Sequence, residues 1–191
     1  MVVGVTGKYC AGKNLVTEIL STRGFESIDV DRLGHRALEE RKAEVVDAFG
    51  SVVLSSSGEI DRRRLGALVF ADQRELSRLE SITHPVMVAE VAEIIKQGEN
   101  HDFVVNAAIL FRMGLHLLCD MVLWVEAPLP TRVARALRRD RLPLFEVVKR
   151  IWTQRKLSPQ PFRNYVDIYN VRNSGNRDKL EAVVLSLIET S

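Results

Sequence analysis

The stretch that decides the fold spans residues 2–20 and reads VVGVTGKYCAGKNLVTEIL. Its start, VVGVT, is apolar and predicts a buried strand, whereas its end, LVTEIL, is typical of a helix. The segment between them, Gly7–Asn14, follows the pattern G-x-x-x-x-G-K. In this setting the pattern predicts a loop whose backbone N–H groups cradle phosphate. The alternative is an ordinary turn in which Lys13 is merely solvated.

Two features of this segment bear on its chemistry. The helix that follows adds the positive end of its dipole, and Lys13 is expected to reach the terminal phosphates of a nucleotide. A loop of this kind has Ser or Thr after the lysine, where the hydroxyl binds Mg²⁺, but this chain has Asn14. The sequence therefore predicts a nucleotide-binding site whose Mg²⁺ position is unusual. Asn14 is the candidate Mg²⁺ ligand.

The bulk composition limits the classes of protein that are possible. The 191 residues are 46% hydrophobic and 27% charged, which is typical of a folded chain with a substantial core. A net charge of +2 gives no global case for nucleic-acid binding. No apolar run approaches the ~20 residues of a membrane span, two cysteines are too few for a disulfide scaffold, and the immediate first strand leaves no room for a signal peptide. We therefore expect a cytoplasmic chain with no nucleic-acid or membrane partner, whose oligomeric state stays open.

Four further apolar runs lie between helical patterns and predict the remaining strands of one sheet. They cover residues 25–30, 103–108, 121–126 and 166–171. Nearly continuous apolar strands separated by helices are typical of a parallel sheet covered on both faces. The predicted fold class is therefore α/β, a three-layer parallel sheet, and its ligand is expected at the carboxyl ends of the strands.

Composition also divides the chain into regions. A helical insertion covers residues 32–98, and an arginine-rich region covers residues 129–157. A Leu-Pro-Leu break at 142–144 splits the arginine-rich region into two basic helices, a pattern that resembles the lid of a small kinase. The nucleotide-binding core is assigned residues 1–31, 99–128 and 158–191.

Local signals predict the helices inside the insertion. Asp61 is the expected N-cap of a helix over residues 62–70, and Asp72 the expected N-cap of a helix over residues 74–82. Pro85 suits the first turn of a further helix. The insertion is therefore predicted to contain several helices, the last of which runs from Pro85 to a stop near Gly98.

Two kinds of charged side chain are candidates for chemistry. Asp29 and Asp31 stand at the end of the second predicted strand, where a carboxylate can accept the proton of an attacking hydroxyl. The alternative is that they cap the next helix. Beside a phosphate loop we favour the catalytic role for Asp31 and leave Asp29 open. Arg139, and second Arg135, are expected to clamp a transferring phosphoryl group with their guanidinium forks, whereas other arginines form a solvated face.

Several further segments accompany the phosphate loop along nearly the whole chain. They are the Asp-x-Asp segment 29–31, an arginine-rich segment before Phe70, and the pair His84-Pro85. The last two are segments 135–140 and 173–175, which read RALRRD and NSG. Many kinases share the loop, whereas the joint occurrence of the other segments is far more specific. With this combination, nearly the whole chain resembles the dephospho-CoA kinase family of P-loop kinases.

The resemblance implies a P-loop kinase fold in which the insertion binds CoA and the basic region forms a lid. It implies ATP-dependent phosphorylation of the ribose 3′-hydroxyl of dephospho-CoA, giving coenzyme A, with Mg²⁺ as the cofactor. It also implies catalytic roles for Asp31, Lys13 and Arg139, and substrate contacts from Asp31, Arg64 and His84, although a lone histidine is more often structural. The residues expected at ATP are Gly7, Lys8, Tyr9, Cys10, Ala11, Gly12, Lys13, Asn14, Leu15, Arg135, Arg139 and Asn173.

The chain also departs from the family pattern. Lys8 and Cys10 stand where the family loop is usually richer in glycine, and Asn106 and Arg112 stand where it usually has acidic residues. Two positions expected to support Mg²⁺, Asn14 and Asn106, are therefore neutral amides, which attract the ion less than carboxylates do. Two alternatives follow: another small-molecule kinase of this fold, acting on a nucleotide or nucleoside, or a nucleotide-binding protein with weakened catalysis.

Overall fold

A computed structural model of the chain describes residues 1–98, 100–140, 142–154 and 157–189. Its strands are β1 (Val2–Gly7), β2 (Glu26–Asp29), β3 (Phe103–Asn106), β4 (Met121–Glu126) and β5 (Asp167–Arg172). All pairings are parallel, and the strand order is β2-β3-β1-β4-β5. The predicted α/β class is confirmed, and β1 lies in the centre of the sheet, so the loop after it leaves from the middle of the ligand-binding edge.

The helices follow the predicted alternation with the strands. They are α1 (Lys13–Ser21), α2 (Val30–Glu40), α3 (Lys42–Phe49), α4 (Arg62–Val69), α5 (Gln73–Gln97), α6 (Leu129–Asp140), α7 (Leu144–Thr153) and α8 (Arg177–Glu189). The predicted break at Pro143 separates α6 from α7. Three basic residues of the predicted lid, Arg141, Arg155 and Lys156, lie outside the described residues.

The first of two compact units comprises Met1–Asp29 and Gln97–Ser191. Its core lies between the sheet, α1 and α8, where Val5, Leu20, Leu123 and Val184 are buried. These residues come from apolar runs on strands that are covered on both faces, which is why the sequence pattern was almost uninterrupted. Helices α6 and α7 also belong to this unit, and they pack on each other beside the phosphate loop.

The regular secondary structure of the second compact unit, Val30–Lys96, is helical, and a short bridge joins Leu54 to Ile60. Its apolar core includes Val45, Leu65 and Val69. The predicted insertion, residues 32–98, is shifted by two residues towards the C-terminus relative to this unit at both of its ends.

The N-cap predictions for this unit are confirmed. Asp61 Oδ1 accepts hydrogen bonds from the backbone N–H groups of Arg63 and Arg64 at 3.0 and 3.1 Å. Asp72 Oδ1 accepts one from the N–H of Arg74 at 2.8 Å. Each carboxylate thus satisfies N–H groups that the first turn of a helix leaves without a partner.

The prediction that Pro85 begins a new helix is wrong. Pro85 lies inside α5, which continues through it as one helix. A proline costs a helix interior ~3 kcal/mol because it removes one hydrogen bond and crowds the preceding turn. Burial of Val86, Met87 and Val91 beyond it offsets that cost, since each buried apolar side chain contributes roughly 1.5–3 kcal/mol.

Candidate active site

The loop between β1 and α1 has the predicted strand–loop–helix setting. It turns back on itself where the N–H of Ala11 donates to the carbonyl of Lys8 at 3.0 Å, and α1 begins where Gly12 accepts from the N–H of Leu15 at 3.1 Å. The first glycine of the motif, Gly7, has φ +150°, and a Cβ there would lie 2.2 Å from the carbonyl oxygen of Val125. Close backbone packing on β4 therefore requires glycine at this position.

The second glycine of the motif is required for two reasons. Gly12 has φ +100°, and a Cβ would lie 2.2 Å from Asn173 Nδ2. This left-handed conformation turns the chain into the first turn of α1. Lys13 and Asn14 begin that helix, where backbone N–H groups have no partner within the helix and are suited to bind anions.

Cys10 shows the cost of replacing a glycine in this loop. Its φ of +57° lies in the left-handed region, which costs an ordinary residue roughly 1–2 kcal/mol. The side chain is only 8% exposed and packs with Ala136 of α6 and with Val147 and Ile151 of α7. The loop and the predicted lid therefore share one apolar cluster. Burial of the Cys10 side chain in this cluster offsets the strain of its backbone conformation.

Asn173, which follows β5, holds the loop through hydrogen bonds of its side chain. It is 1% exposed, and its Nδ2 donates to the carbonyl of Ala11 at 3.0 Å. Arg135 donates to that same carbonyl through Nη1 at 3.0 Å and to Asn173 Oδ1 through Nη2 at 2.9 Å. Both residues were predicted at ATP, and the structure gives them a direct part in holding the loop backbone.

Arg132 was not predicted from the sequence. It lies one turn before Arg135 on α6, is 7% exposed, and its Nε donates to the carbonyl of Tyr9 at 2.8 Å. Burial lowers the pKa of its guanidinium, and its Nη2 has no acceptor among the described residues. It was one of many arginines in a basic helix, and only the i, i+3 spacing to Arg135 marked it as facing the loop.

A cleft of about 430 Å³ opens over the loop. It is lined by Cys10, Gly12, Lys13, Asn14, Arg135, Arg138 and Arg139. Four of these side chains carry a positive charge, and none is acidic. A concave site with this charge and with backbone N–H groups at its base suits a polyphosphate.

Lys8, the other residue in a usual glycine position, lies beside a second, smaller cavity of about 290 Å³. Its Nζ is 3.9 Å from Glu126 Oε1, at the end of β4. Arg132 and Arg172 line the same cavity. The extra lysine is therefore partly balanced by Glu126 and does not line the main cleft.

The two amides of the expected metal side lie together. Asn106 Nδ2 donates to Asn14 Oδ1 at 3.2 Å. Asp29 is the register partner of Asn106 in the neighbouring strand, and register partners leave a sheet on the same face. Within the described residues, no group of three or more His, Cys, Asp or Glu side chains suits a metal ion. This edge therefore offers neutral oxygens with one nearby carboxylate, which fits an ion held mainly by phosphates and water.

The expected substrate-contacting residues all lie in the second unit. Asp31 is exposed in the first turn of α2, and His84 is half-buried in α5. Arg64, on α4, donates from Nη1 to the carbonyl of Leu54 at 2.8 Å, and its Nε lies 3.2 Å from Asp61 Oδ2. The structure thus assigns Arg64 local contacts within its unit, and substrate binding by these three residues stays a prediction.

A phosphate loop at the end of the central parallel strand, beneath a cleft of lysine and arginine, defines a P-loop kinase. Residues 1–179 match the model of the dephospho-CoA kinase family. The dephospho-CoA kinase of Wolinella succinogenes is 34% identical to this chain, over 98% of this chain and 93% of its own length. This chain belongs to the dephospho-CoA kinase family, and the predictions of the family and of a kinase are confirmed.

Two further comparisons agree with this assignment. The solved dephospho-CoA kinase of Campylobacter jejuni aligns with a TM-score of 0.70 at 25% identity, over 98% of this chain and 95% of that chain. The dephospho-CoA kinase of Borreliella burgdorferi is 41% identical over 66% of this chain, and the aligned part spans 62% of that relative. Within the described ranges, no helix has the length and apolar character needed to cross a membrane.

Proposed function

We propose that this chain transfers the γ-phosphoryl group of ATP to the ribose 3′-hydroxyl of dephospho-CoA, giving coenzyme A. The observation that carries the proposal is the phosphate loop beneath a cleft of four cations, in a chain of the dephospho-CoA kinase family. A cleft of this charge favours a triphosphate over a neutral ligand. The relatives named as dephospho-CoA kinases support dephospho-CoA as the acceptor.

The cleft contributes to catalysis mainly through its positively charged side chains. Phosphoryl transfer spreads negative charge over the oxygens of the moving group, so catalysis rests on positioning and electrostatic stabilisation. Lys13 and the N–H groups at the start of α1 hold the phosphates, and Arg139 clamps the transferring group from the lid. Arg135 keeps the loop in shape through Ala11 and adds to the positive charge of the cleft.

Asp31 accepts the proton of the attacking hydroxyl in this proposal. It lies two residues beyond β2, and the carboxyl ends of parallel strands are where such sheets bind their ligands. Its carboxylate is exposed and thus accessible to a substrate hydroxyl. Arg64 and His84, in the same helical unit, contact dephospho-CoA.

A kinase that uses ATP requires a divalent metal, and we propose that the ion is Mg²⁺. Asn14 and Asn106 would hold it through their amide oxygens or through its waters, with Asp29 as the nearby carboxylate. When bound, the ion neutralises phosphate charge. Because amides are neutral, this chain is expected to bind Mg²⁺ more weakly than a site built from carboxylates.

The decisive experiment incubates the chain with ATP, Mg²⁺ and dephospho-CoA and measures both ADP release and coenzyme A formation by mass spectrometry. Asp31→Asn should lower kcat by about 10²–10⁴-fold, the usual contribution of a general base. The control Asp47→Asn removes an exposed carboxylate of α3 in the same unit and should leave kcat unchanged. Unchanged turnover in Asp31→Asn would remove Asp31 from the mechanism.

The amide pair on the metal side favours a second candidate, a nucleotide-binding protein with weakened catalysis. It predicts ATP binding without phosphoryl transfer at any concentration of Mg²⁺ or Mn²⁺. A panel of nucleotide and nucleoside acceptors tests the remaining alternative, another small-molecule kinase of this fold. A cytoplasmic location and the lack of a nucleic-acid partner stay predictions of the sequence.

A further inference from the structure

Tyr9 connects the phosphate loop to the lid helices more extensively than its backbone position alone requires. Its N–H donates to Gln154 Oε1 at 2.6 Å, just beyond α7, and its carbonyl accepts from Arg132 Nε at 2.8 Å. Its phenolic hydroxyl donates to Asp140 Oδ2, at the end of α6. The lid therefore holds one loop residue by both its backbone and its side chain.

Asp140 is the centre of these contacts. Besides the bond from Tyr9, it accepts two bonds from Arg139, from Nε at 2.6 Å and from Nη2 at 3.2 Å. Arg150 Nη1 lies 3.9 Å from Asp140 Oδ2. The bonds from Arg139 and then Tyr9 lower the pKa of Asp140 to about 2, so this carboxylate is ionised at any physiological pH.

Arg139 is consequently held on two sides. Asp140 binds one edge of its guanidinium, and the guanidinium carbon lies 5.4 Å from the centre of the Tyr9 ring. Two of the three guanidinium nitrogens bond to the carboxylate, while the side chain also lines the cleft beside Lys13. A long side chain that is already ordered loses less conformational entropy when it binds a phosphate.

We propose that Asp140 and Tyr9 are positioning residues, which hold Arg139 in its place in the cleft before the nucleotide arrives. This inference rests on the proposed function for its choice of ATP as the ligand. The opposite model makes Asp140 a competitor that must release Arg139 before phosphate can bind. The two models predict opposite effects on nucleotide affinity when the carboxylate is neutralised.

The test measures the dissociation constant of Mg-ATP by displacement of a fluorescent ATP analogue, without any phosphoryl transfer. Asp140→Asn should weaken ATP binding by about tenfold, in line with the loss of a charge-assisted pair. In an Arg139→Ala background the same change should alter the affinity by less than about twofold, because no arginine is left to position. Tyr9→Phe keeps the ring but removes the hydroxyl, and should weaken ATP binding by about threefold.

The matched control is Asp178→Asn, which removes an exposed carboxylate of α8 and should leave ATP binding unchanged. Unchanged or tighter binding in Asp140→Asn contradicts the proposal, as does an equal loss in the Arg139→Ala background, which points to a structural role alone. If Asp140→Asn does not fold, Tyr9→Phe decides between the two models, since unchanged or tighter ATP binding in that variant also contradicts the proposal. Failure of the wild-type chain to phosphorylate dephospho-CoA, with ATP binding intact, contradicts the proposed function and not this inference.

Discussion

Replacing Asn173 by alanine should destabilise the chain through the loss of a buried hydrogen-bond network. The side chain donates to the carbonyl of Ala11 at 3.0 Å and accepts from Arg135 at 2.9 Å and from the N–H of Gly175 at 3.3 Å. The carbonyl of Ala11 would lose the hydrogen bond from Asn173 but keep the one from Arg135, so it would not be left without a donor. A bond from a charged donor contributes about 1.5–3 kcal/mol and a neutral bond about 1 kcal/mol, which predicts a loss of about 3 kcal/mol.

Urea unfolding measures this loss directly. The free energy of unfolding is obtained from the midpoint and slope of the transition, followed by tryptophan fluorescence, to which the buried Trp124 of β4 contributes. The control Asn164→Ala changes an exposed asparagine before β5 and should stay within about 0.5 kcal/mol of the wild type. A loss below about 1 kcal/mol in Asn173→Ala would refute the reasoning, since the loop would then be held without this network.

The remaining predictions concern metal dependence and pH. Asn14→Ser supplies the hydroxyl usual at this position and should keep or raise kcat at low Mg²⁺ in a Mg²⁺ titration. Among the described residues, the side-chain bond that this change breaks is the one with Asn106, and a large loss of kcat would reveal a specific role for the amide. Asp140 has a pKa of about 2 in the folded chain, below its ordinary value of 3.8, so its stabilising effect is complete above pH 4 and is lost as the pH falls towards 2. Wild-type urea midpoints should therefore fall more between pH 4 and pH 2 than those of Asp140→Asn, and equal falls would contradict the assigned pairing.

The strands were predictable because their signal is local. The predicted run 121–126 matches β4, and the run 103–108 has the same start as β3 but is two residues too long. The error arises because Ala107 and Ala108 continue the apolar pattern beyond Asn106, the last residue of β3 that has a register partner in β1. Pro85 shows the opposite case, in which a strong local signal for a helix start yields to the packing of α5.

Most residues of the site were predictable from the sequence, whereas most of the hydrogen bonds between them were not. The loop, its lysine and the basic helices follow from motifs, and the family resemblance brought Asn14 and Asn106 to the same metal side, where the structure has them hydrogen-bonded. The bonds of Tyr9 to Asp140 and Gln154 join residues 131 and 145 positions apart, and no local pattern encodes such pairs. Charge composition alone could not single out Arg132, because burial and not sequence distinguishes it from its neighbours.

The central position of β1 also has a consequence for how the chain folds during synthesis. Its neighbours in the sheet are β3 and β4, and the pairing of Val2 with Phe103 spans 101 positions. At about 5–20 residues per second, the ribosome needs several seconds or more to deliver those partners. Until Val125 emerges, Gly7 has no strand to pack on, so the phosphate loop is a late product of folding. An apolar strand that waits this long is exposed to aggregation, and we expect it to be a segment that chaperones bind.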